Sequence, residues 1–344
     1  LGKVSEAVAN LAEHHEIDDV ELSLQNVLNT QKGLEEMRVN LDNIVASPSQ
    51  AFIYWAEMFK DSLSLHAAQL HVGPLVEEYI FHEKETVVLT SATMRTAPAF
   101  GGEQPTFNYI RQRLQADGAY ELALGSPFDY KANSLLYLIS DMPEPNQPGY
   151  QRLVEQIIVD TAVTLNGRTL VLFTSYAQLQ QTAKEIRLPL QQKGITTLAQ
   201  TQGSSRQQLT AQFKHPNARA VLLGTRSFWE GVDIPGEALQ AVILVKIPFD
   251  VPSDPIFAAR SETFDNSFTD YSIPEAILRW RQGFGRLIRR TTDEGVVLVL
   301  DKRVLSKSYG HAFTDSLPDS TTIRQPASRV PELLVRWFNR QKNG

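Results

Sequence analysis

The apolar positions along the chain fall into two regimes. Through residues 1–62 they recur at helical spacing: Val4, Ala7, Val8, Leu11 and Ala12, then Leu24, Val27 and Leu28, then more loosely Leu34, Met37, Val39 and Leu41. Residues three and four apart share one face of a helix, so this stretch is predicted helical, with a break at Ser47-Pro48. The run AFIYWAEMF (51–59) is too apolar and aromatic to be expected on the surface. It reads either as a buried strand or as a helix packed on a core. Further on, apolar runs of strand length alternate with helical stretches. ETVVL (85–89), LLYLI (135–139), TLVLF (169–173), ITTLAQ (195–200), AVLLG (220–224), AVILVKI (241–247) and GVVLVL (295–300) predict strands. FNYIRQRLQ (107–115), 153–165 and 177–190 predict helices, and a last strand near 321–323 precedes a helix over 330–340. Such alternation argues for a mainly parallel sheet covered on both faces. Residues 98–105, with Gly101-Gly102, read as a flexible crossing between domains, and MPEPNQPGY (142–150) as a Pro-rich loop.

Composition narrows the class. A chain of 344 residues suits two domains, or one large domain with an appendage. Its 42% hydrophobic and 21% charged residues are those of an ordinary globular protein. No apolar run approaches the roughly 18–20 residues of a membrane helix, and no membrane partner is expected. The opening LGKVSEAVANLAEHHE has no basic start followed by an apolar core, so it does not read as a signal peptide. The absence of cysteine excludes disulfides and cysteine-ligated zinc or iron–sulfur sites within this chain, and it fits a cytoplasmic protein. His66, His71 and His82 match no common zinc spacing and read as core or surface residues. The net charge of −6 resides in residues 1–60, which hold four Lys/Arg against ten Asp/Glu; the remainder holds 29 of each. No bulk basic field announces a nucleic-acid binder, so local charge and backbone donors would have to do that work.

Two motifs carry candidate chemistry. In RWRQGFGRLIRR, residues Gln282, Gly285, Arg286 and Arg289 fall at i, i+3, i+4 and i+7, which on a helix is a single face. Two guanidiniums and an amide there suit a polyphosphate, and the glycine leaves room for it. An amphipathic helix with a solvated basic side fits the same spacing. The second motif is GTRSFWEGVDIPG (224–236), which follows the predicted strand AVLLG and so lies at the ligand-facing edge of the sheet.

These pieces, with Ser91-Ala92-Thr93, LVLFTSY (170–176), SFWEGVD (227–233), KIPFDVPSDP (246–255) and QGFGRLIRR (282–290), resemble in order and spacing the superfamily 2 helicases of the DinG/XPD branch, over about residues 65–336. The resemblance implies an α/β fold: a RecA-like parallel-sheet second helicase motor domain with an N-terminal helical arch-like segment. It divides the chain into 1–64 (arch-like), 65–97 (end of the first motor domain) and 98–344 (second motor domain). The implied activity is ATP-dependent, 5′-to-3′ translocation on single-stranded DNA. Arg286 and Arg289 would be arginine fingers, and Gln282 would contact the γ-phosphate or the attacking water. Arg281 and Arg290, off that face, would be solvated or ion-paired. Glu230, Gly231, Asp233 and Gly285 would line the nucleotide. For Glu230 a turn cap, and for Asp233 a pair with Arg286, stay open. Ser91, Thr93, Thr174, Ser175, Thr201 and Gln202 are candidate DNA contacts, with helix capping open for Ser91 and Thr93. Trp229 could stack on a base, core packing being the alternative. For Arg303 a nucleotide-edge role and an ion pair stand equally.

No GxxxxGK[ST] loop and no DEAH-like acidic box occurs in the sequence. In the resembling family both belong to the first motor domain, which would supply the main ligands of ATP and Mg²⁺. The chain therefore looks like the C-terminal part of a longer helicase that needs that first domain as partner. A non-catalytic nucleic-acid-binding module retaining the arginines as relics is the rival reading. A mainly nucleolytic relative would need an acidic cluster not seen here.

Overall fold

The structure is a computed structural model that describes residues 7, 10, 20–46, 48–97, 105–201, 204–230, 234 and 236–340. The chain divides into two compact units: 1–72 with 252–260, and 73–251 with 261–344.

The first unit holds helix α1 (Val20–Val45) and an antiparallel hairpin of β1 (Phe52–Phe59) and β2 (Ser62–Gln69). The run 51–59 is thus a strand, but it is not buried: Ile53 is covered, while Met58 and Phe59 are mostly exposed. A two-stranded ribbon has too little packed around it to bury both of its faces. Its partner strand SLSLHAAQ begins at Ser62, where the stretch expected to be helical ends. Trp55 stacks on its cross-strand neighbour His66 at 4.9 Å. The tip turns at Lys60, which takes a left-handed φ of 54°.

The second unit is built on a seven-stranded parallel sheet. Its strands are β3 (Ser134–Ile139), β4 (Thr169–Leu172), β5 (Thr196–Ala199), β6 (Ala220–Gly224), β7 (Ala241–Leu244), β8 (Gly295–Val299) and β9 (Thr321–Gln325), in the order β5-β6-β4-β7-β8-β3-β9. All six neighbouring pairs run parallel. The central strands read as unbroken apolar runs because both faces are covered. In β3, for example, Leu135, Tyr137 and Ile139 enter one core, while Leu136 and Leu138 enter the other. The first core is closed by α2 (Tyr150–Thr164), α3 (Tyr176–Gln191) and α4 (Val330–Asn339). The second is closed chiefly by α5 (Ile273–Phe284), through Ile273, Ala276, Ile277, Trp280 and Phe284. Pro274 and Glu275 in the first turn suit a helix start, the proline needing no N–H partner and the carboxylate meeting the positive end of the dipole.

Strand order reverses between β4 and β7. The chain leaves β4 outward to β5 and returns through β6, whereas β7 and β8 extend the other way. The carboxyl ends flanking such a reversal form the crevice where α/β sheets take ligands. The strand expected at 85–89 is absent. Residues 86–91 have no regular structure, Val88 is 81% exposed, and no described residue pairs with them. Strand propensity without a neighbouring strand leaves the backbone groups to water.

Trp280 sets the distance between α5 and the sheet. It is fully buried and meets Phe313 edge-on at 5.6 Å. Trp280→Ala should cost about 3–5 kcal/mol of unfolding free energy, measured by urea denaturation. A loss below about 1 kcal/mol would show that α5 does not rest on it.

Candidate functional site

Residues 224–236 leave β6 at the crevice edge. Thr225 precedes a single helical turn, Arg226–Trp229. Phe228 and Trp229 are buried, at 0% and 2% exposure. The Trp229 indole N–H donates to the Phe173 carbonyl at the end of β4 (3.1 Å). A Cβ on Gly283 would stand 2.7 Å from the Trp229 ring, so glycine is what lets α5 close on it. Trp229 therefore cannot stack on a base. It belongs to the core, tying the β4 end and the 224–229 turn to α5. Glu230 is exposed at the end of the turn. Gly231 and Asp233 lie outside the described residues.

The arginine motif does not form one helical face. α5 ends at Phe284, with Gly285 as its C-cap. Gln282 is on its last turn, and Arg286 and Arg289 follow it. Two tight hydrogen bonds, Arg286 N to the Gly283 carbonyl and Leu287 N to the Phe284 carbonyl, both 3.2 Å, turn the chain. Asp293 completes the departure from the helix. Its carboxylate, 4% exposed, accepts the backbone N–H of Arg289 (2.9 Å) and of Arg290 (2.8 Å) on Oδ2, and of Gly236 (3.1 Å) on Oδ1. In a continued helix Arg289 N would seek the Gly285 carbonyl; here the buried carboxylate takes it. Asp293 also joins two motifs, because Gly236 closes GTRSFWEGVDIPG. Leu287 and Ile288 are buried below, and Leu287 leans so close to β8 that a Cβ on Gly295 would stand 2.5 Å from it.

Arg286 donates Nε to the Gln282 carbonyl (3.1 Å), which holds the start of its side chain against the helix end. The Gln282 Oε1 is buried and has no hydrogen-bond partner among the described residues. Arg290 is exposed, as expected for a residue off the site. Arg281 is half-buried and, among the described residues, not ion-paired: its guanidinium donates to the carbonyls of Ala92 (2.9 Å) and Arg95.

The other candidates lie in three loops. Ser175 caps α3, its Oγ accepting Gln178 N–H at 3.3 Å, and Thr174 beside it is half-buried. Thr201 is exposed after β5 and exchanges hydrogen bonds with Ser204, its N–H donating to Oγ (2.7 Å) and its carbonyl accepting the hydroxyl (2.8 Å); Gln202 lies outside the described residues. Ser91 is exposed, and its Oγ accepts the Thr93 N–H at 3.1 Å in a closed turn. That closes a local turn and is not the helix cap that stood as the alternative for Ser91 and Thr93, since no helix begins within residues 91–97.

Gln200 was not singled out by its sequence and is central here. Its Oε1 accepts the N–H and hydroxyl of Thr225, both at 2.9 Å, and its Nε2 donates to Ser227 Oγ (3.2 Å), so it pins the loop after β5 to the one after β6. Asp301, after β8, accepts Ile247 N–H (2.9 Å) and pairs with Arg303 (2.6 Å). Of the two readings of Arg303 the structure shows the ion pair. Burial works against that guanidinium's charge, but Asp301 outweighs it and holds its pKa above the usual value. Beside it, Lys246 stands 5.5 Å from the Tyr150 ring, and burial first, then Arg303, lowers its pKa.

Residues 158–320 match the helicase C-terminal domain family. ATP-dependent DNA helicase YoaA of Haemophilus influenzae is 34% identical over 295 residues, covering 85% of this chain and 44% of that protein. The 3′-5′ exonuclease DinG of Bacillus subtilis is 32% identical over 315 residues, covering 88% and 33%. Among solved structures, an XPD helicase aligns with a TM-score of 0.59 at 17% identity, over 93% of this chain and 55% of that one, a likeness of fold. The chain spans less than half the length of these two curated relatives.

The Asp293 anchor is testable by itself. Asp293→Ala strands three backbone N–H groups at about 1–3 kcal/mol each, so about 3 kcal/mol or more of stability should be lost in denaturant unfolding. Asp293→Asn, which keeps one acceptor oxygen, should lose less. Equal stability of Asp293→Ala and wild type would mean that the turn is held by something else.

Proposed function

We propose that this chain, which belongs to the DinG/XPD-type superfamily 2 helicases and corresponds to their C-terminal portion, completes the ATP site of a DNA helicase and forms half of its single-stranded DNA groove. Residues 98–344 act as the second motor domain, 65–97 as the end of the first, and 1–64 as an arch-like segment. The phosphate loop and the Mg²⁺ ligands come from the rest of the first motor domain, so this chain alone is not expected to hydrolyse ATP. Movement along DNA is 5′ to 3′.

The observation that carries the reading is the end of α5. Gln282, Arg286 and Arg289 leave the core within eight residues, in a turn fixed by Asp293. A guanidinium held in a fixed place beside the transferring phosphoryl group stabilises charge that develops in the transition state, with no reorganisation at the moment of reaction. Arg286 and Arg289 take that role. Gln282, whose Oε1 has no hydrogen-bond partner among the described residues, accepts a hydrogen bond from the attacking water and orients it. Glu230, Gly231, Asp233 and Gly285 border the nucleotide. Ser91, Thr93, Thr174, Ser175, Thr201 and Gln202 meet DNA phosphates through hydroxyl, amide and backbone N–H groups, which suits a chain without bulk positive charge.

In the full-length helicase, Arg286→Ala and Arg289→Ala should each lower ATP turnover by ~10³-fold or more, with a smaller change in apparent ATP affinity. Arg→Lys at either position should recover little, because an ammonium lacks the planar fork. Arg290→Ala, whose side chain is exposed, should be nearly silent. Turnover within tenfold of wild type in Arg286→Ala and Arg289→Ala would rule out the finger role.

A further inference from the structure

Arg281 has no role in the site described above, yet its surroundings are unusual for a surface arginine. It lies on the last turn of α5 between Trp280, which is fully buried, and Gln282. Its guanidinium spans two carbonyls three residues apart, Nη2 to Ala92 O at 2.9 Å and Nη1 to Arg95 O. Burial, and then the neighbouring Arg95 cation, lower its pKa from the usual arginine value. Among the described residues no carboxylate pairs with it. A partly buried cation held by carbonyls alone is a costly way to gain stability, since its charge stays uncompensated. What it gains is shape: a planar fork fixes two acceptors relative to each other, and both to the helix end.

The turn it grips is the one that carries Ser91 and Thr93. Ser91 Oγ closes that turn from within, 3.1 Å from Thr93 N and 3.2 Å from Thr93 Oγ1, and Arg281 closes it from outside. Downstream, Thr96 and Thr106 exchange both backbone hydrogen bonds at 3.0 Å. The Tyr109 hydroxyl then donates to Glu275 Oε1 at 2.5 Å, at the opposite end of α5. The segment therefore holds α5 at both ends. A cavity of about 790 Å³, lined in part by Ser91, Ala92, Arg95, Tyr130 and Arg281, leaves the turn room to shift. On the far side, Gln282 follows Arg281 directly, and its carbonyl takes Arg286 Nε. A continuous path of hydrogen bonds and one peptide link runs from the Ser91–Thr93 turn to Arg286.

We propose that Arg281 is a positioning residue that couples single-stranded DNA at the Ser91–Thr93 turn to the placement of Gln282 and Arg286. The inference rests on the function proposed above. DNA seated on the turn moves the Ala92 and Arg95 carbonyls, and the guanidinium carries that movement to the helix end. Coupling of this kind is reciprocal, so nucleotide must change DNA affinity by the same factor.

The reciprocal form gives a test without turnover. The dissociation constant of a fluorescent oligo-dT is measured for the full-length helicase, with and without a non-hydrolysable ATP analogue. In wild type the two values should differ by about fivefold or more. In Arg281→Ala and Arg281→Lys the ratio should fall to about one, while DNA affinity without nucleotide stays within about threefold of wild type. Lysine keeps the charge and the aliphatic stem, so it serves where alanine perturbs folding, and thermal melting monitors both variants. A wild-type ratio retained in the variants overturns the proposal. So does a loss of affinity equal in both states, which would mark a merely structural residue. A ratio of one in wild type also overturns it. Turnover by Arg286→Ala judges the underlying reading separately: if that variant hydrolyses ATP normally, the reading itself fails.

Discussion

The arrangement of the candidate site depends on one buried carboxylate. A charge as covered as that of Asp293 is tolerable only when its oxygens are fully hydrogen-bonded. The donors here are backbone N–H groups from two separate loops rather than a basic side chain. That choice has a geometric consequence. A side-chain partner could follow the carboxylate through several rotamers, but a backbone N–H cannot move without its chain. The turn carrying Arg286 and Arg289 and the end of the 224–236 loop are thereby fixed to each other and to the start of β8. The backbone that carries Arg286 and Arg289 is thus a rigid base, the condition under which a cation can stabilise developing charge without reorganising.

The same economy recurs along the carboxyl edge of the sheet. Asp301 takes the Ile247 amide and Arg303, Gln200 takes both polar groups of Thr225, and the Trp229 indole takes the Phe173 carbonyl. Each joins loops that follow different strands. The crevice at the β4–β7 reversal is therefore lined by loops braced against one another, while the sheet below supplies two dry cores.

The sheet was legible in the sequence because its central strands are buried on both faces, so they stand out as apolar runs such as LLYLI and AVLLG whatever their neighbours. Legibility failed where an element's fate depends on what packs against it. ETVVL has the composition of a strand but no strand beside it. AFIYWAEMF forms a strand but lies in a two-stranded ribbon that leaves Met58 and Phe59 mostly exposed. Trp229 and Arg281 depend on their neighbours in the same way: base stacking and core packing are both open to Trp229 in the sequence and contact with Gly283 puts it in the core, while Arg281, expected to be solvated or ion-paired, bridges two carbonyls. The spacing of Gln282, Gly285, Arg286 and Arg289 predicts one helical face, but the helix ends at Phe284 and the two arginines lie beyond it. Gly283 and Gly285 signalled a weak helix end, but the residue that ends it, Asp293, sits in a TTDEG turn that carries no motif of its own.

Under the proposed function, the turn fixed by Asp293 presents Arg286 to a phosphoryl group in transit rather than to bound nucleotide in general. Comparing the affinity of the full-length helicase for ADP with that for ADP plus aluminium fluoride, which imitates the transferring phosphoryl group, tests it most directly. Wild type should prefer the fluoride complex by ~10²-fold or more, and Arg286→Ala should lose this preference while its affinity for ADP changes little. An unchanged preference in Arg286→Ala, or an equal loss of affinity for both ligands, would contradict it.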